Sequence, residues 1–208
     1  MENGSILNIK VNAAAGHPLP CRLHLKKADD SCWLPPEVSA PEYSEGTAPD
    51  LLLPDHFNRY LHLCHGAQLQ SVHLNHGAAS IPVPAGEIQL FLARGHEYAP
   101  ISDRFELRPG IPLNKEYSLK HLCDLPAQGW YNGDMHTHFS RWEARDNHVW
   151  MRLLQAENIH AVNNMVYKHA GVIEAPQFAY GTEGENHVHH HADHHILASG
   201  EEFRDDDL

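Results

Sequence analysis

His136 and His138 stand one residue apart in the run Gly129-Trp130-Tyr131-Asn132-Gly133-Asp134-Met135-His136-Thr137-His138. If that run is a strand, the alternation of side chains sends both imidazoles to one face, about 7 Å apart along the backbone, where they can meet a single metal ion. The pair alone is weak evidence, because 20 histidines in 208 residues supply about two H-x-H pairs by chance. A second concentration of imidazoles, His187, His189, His190, His191, His194 and His195, is largely uncharged at neutral pH and open to metal. It reads either as a solvated tract that any free zinc or nickel can decorate or as the source of one ligand, His194 or His195, just before a strand.

The elements that must position these groups differ along the chain. From residue 5 to about 123 the pattern is all-β. Leu7, Ile9 and Val11 alternate with polar residues, as do Cys21, Leu23 and Leu25; Ile88, Leu90 and Leu92 share one face and Tyr117, Leu119 and His121 another. Turn signals at Ala15-Gly16-His17-Pro18, Pro84-Ala85-Gly86 and Arg108-Pro109-Gly110 suit a small antiparallel sandwich. Residues 29 to 58 form a Pro-rich, acidic insertion that contains Trp33, Pro35, Pro36, Pro41, Pro49 and Pro54. An insertion of that length is either a surface excursion or an arm laid against a second domain.

A boundary is expected at Leu125-Pro126-Ala127-Gln128-Gly129, dividing a sandwich over 1–126 from a second domain over 127–208. After it the pattern becomes β-α-β: a strand over 130–136, then a helix capped by Asp146 or Asn147. That helix has an apolar stripe of Val149, Trp150, Leu153 and Leu154 and stops at Asn158. Strands follow over 159–166 and 196–199. A strand-helix-strand with a short return implies parallel pairing, as at the start of a β/α barrel. In such barrels functional groups sit at the carboxyl ends of strands, which is where His136, His138 and Gly200-Glu201-Glu202 fall.

The string G-W-Y-x-G-D-M-H-x-H resembles the opening strand of the PHP (polymerase and histidinol phosphatase) superfamily, in particular its CehA/McbA-type metallohydrolases. The segment from Pro84 to Pro100 resembles the G-x-Y-x-L-x-x-x-R-G-x-E-Y-x-P hairpin of the transthyretin-like sandwich that often precedes that domain. The resemblance implies an α+β two-domain protein, an N-terminal antiparallel β-sandwich followed by a partial PHP-type β/α barrel. It also implies a divalent ion (Zn, Mn or Fe) held by His136, His138 and, through a G-x-E segment, Glu202 and not Glu201.

Two departures from the family pattern stand out. Glu143 occupies the position of an aspartate in H-x-H-x-x-x-S-D-G, as a ligand or an outer base. Asn163-Asn164 stands where T-D-H is usual, and neutral amides are poor ligands for zinc or manganese, with His169 a substitute nearby. The chain ends at Leu208, just past the third expected strand, and so reads as a truncated product or as a reduced member completed by self-association.

The net charge of -12 disfavours a nucleic-acid partner, since phosphate contacts need a basic surface. Residues 129 to 208 carry 13 acidic against 5 basic side chains, a field that favours cations. Cys21, Cys32, Cys64 and Cys123 lack the spacing of a zinc site or a disulfide scaffold. With no apolar run near 18 residues and no basic segment ahead of an apolar stretch at Met1-Glu2-Asn3-Gly4-Ser5, a cytoplasmic protein without a membrane partner is expected. Two functions compete. One is a metal-dependent hydrolase of small phosphoesters or of carboxylic or carbamate esters. The other is a non-catalytic sandwich module with a degenerate remnant attached.

Overall fold

A computed structural model describes residues 4–33, 51–52, 71–139, 141–144, 146–169, 172–173, 177–178, 188–191 and 195–204. Most of the Pro-rich insertion, with His187 and His194, lies outside these residues, and so do the side chains of residues 167–169, including His169.

Strict alternation builds the first half. Strand β1 (Gly4–Ala13) buries Leu7, Ile9 and Val11, and β2 (Cys21–Lys27) buries Cys21, Leu23 and Leu25. Two short strands follow, β3 (Cys32–Trp33) and β4 (Leu51–Leu52), then β5 (Val72–Leu74) and β6 (Ala78–Pro84). β7 (Gly86–Ala93) buries Ile88, Leu90 and Leu92. The last two are β8 (Ile101–Leu107) and β9 (Leu113–Leu119). One sheet has the order β6-β1-β9 and the other β4-β5-β2-β7-β8, with β3 paired to β2. Inward side chains of both contribute to one apolar cluster. Each fully buried leucine or isoleucine there stabilises the fold by about 1.5–3 kcal/mol. The sandwich is not wholly antiparallel, since β1 runs parallel to β9 with Leu7 opposite Leu113. His121 lies past the end of β9 and bridges to Tyr98.

A 3-10 turn, Pro126–Gln128, is closed by Gly129 at φ 82°, and the second half begins beyond it. Strand β10 (Gly133–Thr137) leads to helix α1 (Asp146–Glu157), then to β11 (Ala161–His169), β12 (Val172–Ile173), β13 (Val188–His190) and β14 (Ile196–Arg204). Asn158, at φ 55°, turns the chain out of the helix in the left-handed conformation that asparagine tolerates. Val149, Trp150, Met151 and Leu154 join Phe139, Val162 and Leu197 in a second apolar cluster, where Trp150 stacks on Phe139 with ring centroids 3.9 Å apart.

β10 and β14 both pair parallel to β11, as the strand-helix-strand pattern implies. The partial β/α barrel does not form. Among the described residues the chain is mostly β with a single α-helix, and the second sheet is open and mixed, in the order β10-β11-β14-β13. The reason is local. A barrel would continue from β14 through further parallel strands, each returned by a helix, whereas β13 lies antiparallel on that edge of β14, with Val188 opposite Ala198 and His190 opposite Ile196. β12 adds a second antiparallel pairing at the end of β11.

The two halves meet at the carboxyl end of α1. Gly95, at φ 50°, lies so close that an added Cβ would come within 2.8 Å of the Glu157 carbonyl and of Asn158 Cβ. Buried Arg94 donates to the Pro20 carbonyl (2.7 Å), the Gln155 carbonyl and Asn158 Oδ1 (3.3 Å). Buried Glu97 accepts from Asn158 Nδ2 (2.8 Å), Asn132 Nδ2 (3.2 Å) and the Leu125 amide (3.1 Å). Beside them Glu157 takes Arg22 Nε at 2.7 Å and His73 Nε2 at 2.6 Å. The segment from Arg94 to Glu97 is therefore the joint between the sandwich and the second sheet. Among the described residues no helix is long and apolar enough to cross a membrane.

Candidate metal centre

The carboxyl ends of β10 and β14 carry the chemistry, with β11 between them. At a spacing of about 4.8 Å per strand, groups on β10 and β14 must bridge roughly 10 Å, so long side chains are needed to close the gap. His136, His138 and Glu202 close it. The His136 and His138 Nε2 atoms are 3.0 Å apart, and each is 2.6 Å from Glu202 Oε2. The imidazole planes cross at 80° with centroids 4.9 Å apart. Among the described residues this is the one group of three or more histidine, cysteine or carboxylate side chains able to hold an ion.

Local irregularity aims the histidines. The pairing of β10 with β11 slips between Asp134 and Thr137, a bulge of the kind that re-aims side chains at functional sites. Asp134 Oδ1 accepts the His136 amide at 3.0 Å across that bulge. His138 lies just past the strand, and Asn164 holds the chain beyond it. Fully buried, Asn164 accepts the Phe139 amide at 2.9 Å and donates to the Phe139 carbonyl at 2.8 Å. Gln177 donates to the same carbonyl at 2.7 Å. The asparagine that stands in place of an expected ligand is thus a clamp on the ligand-bearing loop.

Arg141, also fully buried, extends the clamp. It donates to Gln177 Oε1 (2.5 Å), to Asn147 Oδ1 (2.9 Å) and to Ser199 Oγ, which ties the loop to α1 and β14. Burial pulls its guanidinium down to about 10, with Asp146 acting in the opposite direction, so it stays charged at neutral pH. On β14, Gly200 leaves room for β11. A Cβ there would come within 2.7 Å of Asn163 Oδ1 and 2.8 Å of Met165 Cγ. Two residues on, Glu202 shares the face of Gly200 and reaches the histidines, while Glu201 is exposed on the other face.

The hydrogen bonding around His138 defines what the cluster can accept. His138 Nδ1 is 3.0 Å from the Met165 carbonyl, which only accepts, so Nδ1 carries a hydrogen. In the neutral ring Nε2 then presents a lone pair toward Glu202 Oε2, itself an acceptor. At 2.6 Å the two atoms need a proton or a metal cation between them. Donor chemistry fits a divalent ion, since two imidazoles and a carboxylate are the set that zinc, manganese and iron take.

The other expected residues fall elsewhere. The backbone amide of Glu143 donates to Asp146 Oδ2 at 3.1 Å, and its carboxylate is not part of the triad. His195 precedes β14, at the opposite end of that strand from Glu202. His189 packs its ring against His148 (5.9 Å), and burial, followed by His148 and Arg141, pushes it below the ordinary imidazole value. Arg141 and Gln177 escape sequence reasoning because their types are ordinary and their partners lie up to 58 residues away, and Asn164, singled out as a lost ligand, shows no sign of its role as a clamp. No family model and no curated protein matches the chain.

Proposed function

We propose that the chain is a metal-dependent hydrolase of small phosphoesters or of carboxylic or carbamate esters, with Zn, Mn or Fe held by His136, His138 and Glu202. The observation that carries this reading is the convergence of His136 Nε2, His138 Nε2 and Glu202 Oε2, each within 3.0 Å of the other two, a donor set that a divalent ion takes. The likeness of the Gly129–His138 and Pro84–Pro100 segments to PHP-type metallohydrolases supports the same chemistry.

Three protein donors leave positions open on the ion, the mark of catalytic and not structural centres. Bound there, the ion would polarise a carbonyl or phosphoryl oxygen and acidify a water toward neutral pH. The protein's own residues do the positioning. Met165 fixes the His138 tautomer, Asn164 and Gln177 hold the loop behind it, and Gly200 lets Glu202 lie over β11. The His136 side chain, 59 % exposed, leaves the centre open to a small substrate.

A second reading, a non-catalytic module whose metal serves structure, is favoured by Asn164. Its amide is fully engaged in the clamp, so among the described residues β11 contributes no ligand beside the triad. Hydrolysis of p-nitrophenyl phosphate and p-nitrophenyl acetate separates the two. The hydrolase reading expects metal-stimulated turnover that disappears in His138→Ala; full metal loading with turnover no faster than buffer selects the module.

A further inference from the structure

A cleft of about 660 Å³ opens on the far side of the second sheet, between the sandwich and the amino ends of β11 and β14. Parallel register builds its floor. Ala161 pairs with Ile196, so the preceding residues, His160 and His195, fall side by side and stack with centroids 5.3 Å apart and planes 17° from parallel. The sandwich supplies Arg94, His17 and His76, and α1 supplies Arg152. Asn75, Gln155 and Asn158 add amide groups.

Charge sets this cleft apart from the rest of the molecule. Among the described residues two guanidiniums and four imidazoles line it and no carboxylate does, in a chain whose net charge is -12. The nearby carboxylates are turned to other partners. Glu157 takes Arg22 and His73, and Glu97 meets Asn158 from behind the cleft wall. The wall is built and not incidental, since Arg94, Asn75, Asn158, His160 and His195 are each more than nine-tenths buried yet line the space. A concave surface of one sign with low-dielectric walls focuses field and concentrates counter-ions. Its volume is that of a small-molecule site.

We propose that this cleft binds a small molecule through an oxyanion group, a phosphate or a carboxylate, received by Arg94, Arg152 and the histidines. The site is separate from the metal triad. His195 and Glu202 stand seven residues apart on one extended strand, roughly 23 Å at about 3.3 Å per residue. A ligand here would touch the turn before β2, the turn after β5, the helix and the sheet together, and so bridge the two halves of the chain.

Calorimetric titration of the metal-depleted full-length chain with inorganic phosphate, and separately with citrate, at ionic strength fixed by chloride, tests this. Saturable one-to-one binding of at least one of them is expected. It should weaken at least tenfold in the double variant Arg152→Gln/His76→Gln, at a half-buried and an exposed position of the lining, and stay unchanged in His136→Ala/His138→Ala. Phosphate binding without citrate binding assigns the phosphate group, and the reverse assigns the carboxylate. No saturable heat from either anion overturns the proposal. So does binding that survives in the lining variant or vanishes in the triad variant. Should the lining variant fail to fold, hydrogen exchange on the unaltered chain decides: the bound anion must slow exchange at residues 75–77 and 152–160, and unchanged exchange there overturns the proposal.

Discussion

Two polar clusters occupy opposite ends of the same parallel strands, and they are built on opposite principles. At the amino ends, the joint of Arg94, Glu97, Glu157 and Asn158 is largely buried, and it pairs complementary donors and acceptors. At the carboxyl ends, His136, His138 and Glu202 are more open, and their polar atoms converge on one point. A buried network with matched partners holds a structure together, and a convergent set of metal-ligating side chains can take an ion. The first should govern stability and the second should govern metal, with little crossover.

Removing a member of the joint gives the largest expected effect. Glu97→Ala leaves a buried donor on Asn158 and half-buried donors on Asn132 and Leu125 without their acceptor, and a loss of about 3–5 kcal/mol in urea unfolding is expected. Trp150→Ala, which opens a cavity under Phe139, should cost a similar 3–5 kcal/mol. Either variant, where it still folds, should keep its metal. Loss of metal at undiminished stability would break the comparison.

Acid probes the joint from another direction. Burial works to raise Glu157, but the hydrogen bonds from His73 and Arg22 outweigh it and hold the carboxyl down at about 2. A depressed carboxyl stabilises the fold fully above its unfolded value near 4.5 and loses that contribution as pH falls toward 2. The amount is about 3 kcal/mol, from about 1.4 kcal/mol per unit. Unfolding free energy should therefore drop between pH 4.5 and 2, and less steeply in Glu157→Gln. An identical acid profile in that variant would remove Glu157 from the joint.

Smaller effects sharpen the triad. Glu202→Asp withdraws the carboxylate by one methylene from a gap spanning two strand spacings and should weaken metal binding by at least tenfold, with unfolding unchanged within about 0.5 kcal/mol. The smallest effect concerns thiols. Burial pushes Cys21 up to about 12, so it should resist maleimide in the folded chain while exposed Cys123 reacts at once.

Much of this was legible before any coordinates. Alternation located β1, β2 and β7, and the stripe through Val149, Trp150 and Leu154 located α1 with its stop at Asn158, because local periodicity reflects one buried face. His136 and His138 could be named from alternation at a strand end, a local feature, whereas Glu202 was named only through the resemblance of its G-x-E segment. The barrel expectation failed at one strand edge. Nothing in Val188-His189-His190 announces that it will lie antiparallel on β14 and close the edge where further parallel strands would have to add. The parallel pairing of β1 with β9 joins residues more than a hundred positions apart and is equally silent in local pattern. The bulge at Met135-His136 and the clamp of Asn164 on Phe139 depend on tertiary partners, so alternation alone put the two histidines on one face without showing how they are held there.

The most direct test is metal content. The full chain, purified without a nickel column and dialysed against a weak chelator, should retain one divalent ion per molecule by plasma mass spectrometry. His136→Ala/His138→Ala should retain none, although His189, His190, His191 and His195 are untouched. One ion per chain persisting in that double variant would place the metal elsewhere and contradict the account.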